Sequence, residues 1–116
     1  MSPIDRLREI CLALPEAVEI ETWEQPTFRV NNKMFAISSP DAADSHHVTM
    51  KAPPGEQALL LASGGRFFRP SYVGDKGWIG VNLDASTDWS EIGELVEDSY
   101  RMTALKRQIA ALDAQT

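Results

Sequence analysis

Between Val18 and Ala52 polar and apolar residues alternate in short runs, and the runs are separated by residues that favour turns. Successive side chains of a strand point to opposite faces, so alternation marks strands with one buried face. In AVEIETW, Val18, Ile20 and Thr22 fall on one side and Glu19, Glu21 and Trp23 on the other. In PTFRV, Phe28 and Val30 oppose Thr27 and Arg29. Asn31 and Asn32 follow, and asparagine tolerates the positive φ that a tight hairpin turn demands. KMFAIS returns as the partner strand, PDAADS is a polar loop, and HHVTMKA is a further strand with Val48 and Met50 on one face. Such a run of short strands and tight turns specifies an antiparallel sheet.

The flanks of this region read as helices. Ser2 is a suitable N-cap, Pro3 fits the first helical position, and Asp5 suits the positive end of the helix dipole. Ile4, Leu7, Cys11 and Leu14 form the buried stripe, and Pro15 ends the helix. Pro53 and Pro54 end the sheet and open a short helix, PPGEQALLLAS, closed by Gly64 and Gly65. FFRPSYV and GWIGVNL flank the turn signal GDK and read as a hairpin. In its second strand Ile79, Val81 and Leu83 line one face, and Trp78, Gly80 and Asn82 the other. Asp88 with Glu91 makes a capping-box start for a C-terminal helix whose stripe is Trp89, Ile92, Val96 and Tyr100. TALKRQIAALDA continues it beyond a break near Thr103, a β-branched residue able to bond its own backbone. The expected architecture is α+β, with helices packed on one face of an antiparallel sheet, in one domain over residues 1–116.

Charge and residue usage narrow the function. The formal net charge of −6 argues against wholesale binding of nucleic acid by phosphate neutralisation. The distribution is uneven. Asp84, Asp88, Glu91, Glu94, Glu97 and Asp98 form a run without lysine or arginine, flanked by Arg66, Arg69 and Lys76 before it and Arg101, Lys106 and Arg107 after it. If the two basic groups converge, they make a positive face. Cys11 is the only cysteine, so no intramolecular disulfide is possible, and its place on the helical stripe makes it a core residue. His46 and His47 are adjacent in a strand and point to opposite faces, so no metal site is expected, and no cofactor. No apolar run approaches a membrane span and no leader precedes the first helix, so a cytoplasmic protein is expected. GDKG is too short for a phosphate loop, and no nucleophile elbow or Ser–His arrangement stands out; the chain does not read as an enzyme.

QPTFRVNNKMFAIS, SYVGDKGWIGVNL and DWSEIGELVEDSYRMTALKR together resemble the MmcQ/YjbR family in order and spacing, over nearly the whole chain. The resemblance implies a compact α+β fold of the CyaY-like or "double wing" type, and a DNA-binding role, as such proteins are commonly described. Glu24-Gln25 stand where the family often has Gly-His. On this reading Arg66, Arg69, Lys76, Arg101, Lys106 and Arg107 supply charge for phosphates. Tyr72 and Trp78 stack on bases, and VGDKG is a wing tip. The alternative is a small-molecule-binding or sequestering protein with a pocket near Trp23, Phe28 and Trp78, a reading that the antibiotic-resistance associations of MmcQ-type relatives also imply. A protein-interaction adaptor using the acidic C-terminal helix is a third. Phe67 and Phe68 read as core. What separates these readings is whether the six cations and the two stacking aromatics share one solvent-facing surface.

Overall fold

The computed structural model describes residues 2–42, 45–71 and 73–115. The alternating runs pair as consecutive antiparallel strands: β1 (Val18–Thr22), β2 (Gln25–Val30), β3 (Lys33–Ala42) and β4 (Ser45–Lys51). The strands β3 and β4 extend into the expected PDAADS loop, whose middle lies outside the described residues. Further along, β5 (Phe67–Phe68) pairs with β6 (Trp78–Leu83), and β6 docks against β4. The result is a six-stranded sheet in the order β1-β2-β3-β4-β6-β5.

The helices are α1 (Pro3–Leu12), α2 (Glu56–Ser63), α3 (Trp89–Thr103) and α4 (Lys106–Ala114). Their ends follow from local chemistry. The Ser2 hydroxyl accepts from the Asp5 N–H, and the Asp88 carboxylate accepts from the N–H groups of Ser90 and Glu91. At the expected break, Thr103 Oγ1 donates to the Ser99 carbonyl at 3.1 Å, and Ala104 turns extended. Gln108 Oε1 then accepts from the Leu105 N–H at 2.8 Å and starts α4. No helix among the described residues is long and apolar enough to cross a membrane.

The core lies between α1, α3 and one face of the sheet, and contains Leu7, Cys11, Phe28, Val48, Met50, Ile79, Val81, Ile92, Val96 and Tyr100. Burial pushes the Cys11 thiol's pKa up, so it stays a neutral thiol, as expected of a core cysteine. A β-bulge helps to fill this core. The ladder pairs Phe28 with Ala36 but Arg29 with Met34, so Phe35 is the extra residue, and both Phe35 and Ala36 are fully buried. Phe35 meets Tyr100 edge-to-face, with ring centroids 5.6 Å apart.

A bulge frees backbone groups that burial then requires to be paired. Ser99, buried on α3, does this with one hydroxyl: it donates to the Phe35 carbonyl at 2.6 Å and accepts from the Lys51 N–H at 3.0 Å. Tyr100 beside it donates to the Pro15 carbonyl at 2.7 Å and so fixes the turn between α1 and β1.

Two outcomes are expected. Ser99→Ala leaves the Phe35 carbonyl and the Lys51 N–H buried without that partner, and costs about 1–3 kcal/mol in urea denaturation. Cys11 resists a thiol reagent in the folded protein and becomes reactive only at denaturant concentrations that unfold it globally.

Candidate functional site

Among the described residues no α-helix covers the second face of the sheet at its centre. Across all six strands one row of residues runs through Ile20, Thr27, Ile37, Thr49, Gly80 and Phe68, each directly opposite the next. A neighbouring row joins Ser39, His47 and Asn82. On β1 the usual polarity is inverted. Glu19 faces α1, where Arg8 donates to it through Nε and Nη2 at 2.6 and 2.9 Å. The apolar Val18 and Ile20 are left on the open face, 49% and 40% exposed.

The row's outer end depends on Gly80. A Cβ there would fall 2.6 Å from Phe68 Cε1 and nearer still to Cζ and Cε2, so the ring occupies the space a side chain would take. Phe68 therefore lies down on the sheet, with its ring and that of His47 edge-to-face at 5.2 Å. Contrary to the expectation that Phe68 is a core residue, it is half-buried and belongs to this face, while Phe67 joins the core.

The connection from β5 to β6 is longer than the tight turn expected from GDK. Val73–Lys76 form a 3-10 turn, ended by Gly77 at φ +87. Three tethers hold this loop. The Arg69 stem crosses Gly74, where a Cβ would meet its Cγ at 2.8 Å, and the Arg69 guanidinium pairs with Asp75. Gln57 of α2 donates through Nε2 to the carbonyls of Gly74 and Trp78 at 2.8 and 2.7 Å. The Gly74 N–H donates to the Pro70 carbonyl at 3.0 Å. The loop so fixed presents Pro70, Ser71 and Val73 as one wall of a cavity.

The facing wall is the β1–β2 turn. Trp23 was expected within a strand, but it and Glu24 form a two-residue turn with φ of 53 and 63 between the paired Thr22 and Gln25. Trp23 is 80% exposed. The cavity between the walls has a volume of about 580 Å³, within the range of small-molecule sites. Its lining is completed by Gln25, Met34, Ile37, Ser39, His47, Thr49 and Phe68, with no Asp, Glu, Lys or Arg among the described lining residues.

The residues expected to contact nucleic acid are placed differently. Arg66 is bonded to both Glu91 carboxylate oxygens at 2.8 Å, and its guanidinium lies over the Phe67 ring. Arg69 pairs with Asp75. Arg101 pairs with Asp113 at 2.6 Å and Glu97 at 3.6 Å. Arg107 pairs with Glu16, and its hydrogen bond holds that carboxyl's pKa below its usual value. Lys76 and Lys106 are exposed and have no ion pair among the described residues. Trp78 is 6% exposed, and Tyr72 lies outside the described residues. Arg66 and Arg69 flank β5, Arg101 is on α3, and Lys106 and Arg107 begin α4. Only Trp23, among the aromatics considered for a small-molecule pocket, lines the cavity; Phe28 is in the core. Met34, Ile37, Ser39, Thr49 and Val73 were not singled out from the sequence. For the first four the signal was an apolar or small polar residue on the strand face opposite the core; Val73 lies in the 3-10 turn and carried no such signal.

The YjbR family model matches residues 12–102. Among solved structures, the Deinococcus radiodurans protein DR2400, with a DUF419 domain, is similar at a TM-score of 0.75 and 25% identity, over 88% of this chain and 78% of that one. A Pseudomonas syringae protein is similar at a TM-score of 0.70 and 20% identity, over 89% and 99% of the respective chains, a likeness of fold. No curated protein matches this chain.

Gly80→Ala is expected to lift Phe68 off the sheet and into the cavity, at a cost of about 1–3 kcal/mol. In a Phe68→Ala background the same substitution should be nearly neutral, because the clashing ring is gone. A double-mutant cycle by urea denaturation measures that coupling.

Proposed function

The chain belongs to the YjbR family, and we propose that it is a non-catalytic binding module that holds a small, largely apolar molecule in the cavity on the open face of its sheet. One observation carries the proposal: a cavity of about 580 Å³ with apolar and aromatic walls and a few polar groups, built on strands and on a tethered loop. Sites for small molecules have this composition, and rigid supports lower the ordering entropy lost on binding. The described lining sets Ser39 opposite His47 and brings no carboxylate, lysine or cysteine beside them, and we read the site as one for binding rather than chemistry.

Nucleic-acid binding is less well supported. Phosphate contacts need cations free to exchange water and counterions for phosphate. Arg66, Arg69, Arg101 and Arg107 would each have to give up an acid first. Trp78 would have to leave a buried position to stack on a base.

A thermal-shift screen of small aromatic compounds tests the proposal. A ligand at a hundred times its Kd adds about 2.7 kcal/mol to stability and raises Tm. Val73→Trp, which fills the cavity from the loop side, should abolish that rise while leaving the unliganded Tm within a few degrees. The proposal fails if no compound raises Tm, or if the rise survives Val73→Trp. Duplex DNA titrated at low salt should show no saturable binding; an affinity that falls steeply with salt and drops on Lys76→Ala would favour the nucleic-acid role.

A further inference from the structure

We infer that the cavity takes a neutral, planar aromatic molecule, stacked on Trp23 and hydrogen-bonded by Ser39, His47 and Thr49. This rests on the binding role proposed above and specifies the ligand.

The lining sets the charge. A ligand bearing a full charge would be desolvated here with no Asp, Glu, Lys or Arg among the described lining residues to meet it. The chain's net charge of −6 further disfavours an anion. A cation would need aromatic faces turned toward it. Among the described lining residues Trp23 and Phe68 are the only Trp, Tyr or Phe, and Phe68 has one face laid on Gly80 and its ring edge-to-face with that of His47, so a cation would meet two rings rather than an aromatic cage.

The polar groups are arranged for hydrogen bonding. Ser39 lies directly opposite His47 across the β3–β4 ladder, and Thr49 is two residues further along β4 on the same face. These three sit on the sheet floor, with the apolar Ile37 opposite Thr49 and Met34 and Val73 also in the lining. A flat molecule can place an apolar face against Trp23 and an edge with donors and acceptors on that floor.

The Trp23 turn is the independent observation. The same sheet contains two hairpins with the same two-residue left-handed turn. At the β2–β3 turn the residues are Asn31 and Asn32, with φ of 55 and 63; at the β1–β2 turn they are Trp23 and Glu24, with φ of 53 and 63. Asparagine suits this backbone and a bulky aromatic does not. Trp23 gains little burial in return, being 80% exposed. Folding accounts for a turn at this position and not for an indole in it. Strain of this kind concentrates at ligand sites, and this indole lines the cavity.

The test uses the full chain and four probes: lumichrome (neutral, planar), proflavine (a planar cation), anilinonaphthalene sulfonate (an anion) and adamantanol (neutral, not planar). Binding is followed by tryptophan fluorescence and by the methyl resonances of Met34, Ile37 and Val73. Lumichrome should bind at least about tenfold more tightly than the others and shift those methyls. Trp23→Ala should weaken it about tenfold or more, and Trp23→Phe should restore most of the affinity. The double variant Trp23→Asn/Glu24→Gly should raise Tm and lose the preference for lumichrome. If adamantanol or a charged probe shifts the same methyls at equal or better affinity, the ligand class is overturned and the binding role stands. If no probe shifts them, both fall. An affinity for lumichrome indifferent to Trp23→Ala, or a double variant with lower Tm, overturns the role given to Trp23.

Discussion

The Ser99 hydroxyl is the point at which α3, the longest helix among the described residues, is locked to the sheet. The bulge at Phe35 lets two consecutive residues, Phe35 and Ala36, enter the core, and in doing so it takes a carbonyl out of the regular ladder. A hydroxyl that both donates and accepts, presented from α3, satisfies that carbonyl and the Lys51 N–H together. Both bonds are at least partly buried, where an unmet polar group is expensive. They fix the position of α3 over β3 and β4. The Phe35–Tyr100 contact and the bond from Tyr100 to the Pro15 carbonyl then fix the approach of α1.

With the main helix layer committed to one side, the other side of the sheet is finished by its own residues. Parts of it are covered cheaply: Phe68 folds onto Gly80, and the segment after it is pinned by Gln57 and by the Arg69–Asp75 pair. What these elements leave between them is the cavity. Its floor is sheet and its loop wall is tethered at several points, so little ordering remains for a ligand to induce. The inversion on β1 extends the apolar character outward, because Arg8 draws Glu19 toward α1 and leaves Val18 and Ile20 facing out.

Much of the fold was legible because it rests on local signals. Alternation identified the strands, Asn31-Asn32 marked a turn, Ser2 and Asp88 capped helices, and Thr103 marked the break between α3 and α4. The β1–β2 turn was missed because Trp-Glu carries no turn chemistry; the strand pairing imposes that backbone on it. The β5–β6 connection was read as a tight hairpin because GDK is a turn signal, and the tether from Gln57, 17 residues from Gly74 in sequence, lies outside any local window. The ion pairs were illegible for the same reason. Arg107 meets Glu16 across 91 residues, and Arg66 meets Glu91 across 25. Read singly those cations look available, and only the fold shows that they are engaged. The cavity was the least legible feature. Alternation shows that each strand has two faces, but which polar and apolar residues of four strands meet in the cavity depends on register.

Two residues in this sheet depart from what sheet stability alone favours. Gly80 sits in the middle of a strand paired on both sides, where glycine adds backbone entropy to the unfolded chain and contributes no side chain to packing. Trp23 sits in a left-handed turn where asparagine or glycine would be less strained, and most of its indole is exposed. Neither departure is needed by the helix-side core, which is complete without them. They lie in different strand pairs, yet both bear on one cavity: Gly80 lets Phe68 lie down and keeps the space open, and Trp23 stands at its opposite wall. Local rules are usually broken where function requires it. Two independent breaks therefore bear on the one cavity for which a binding role is proposed above.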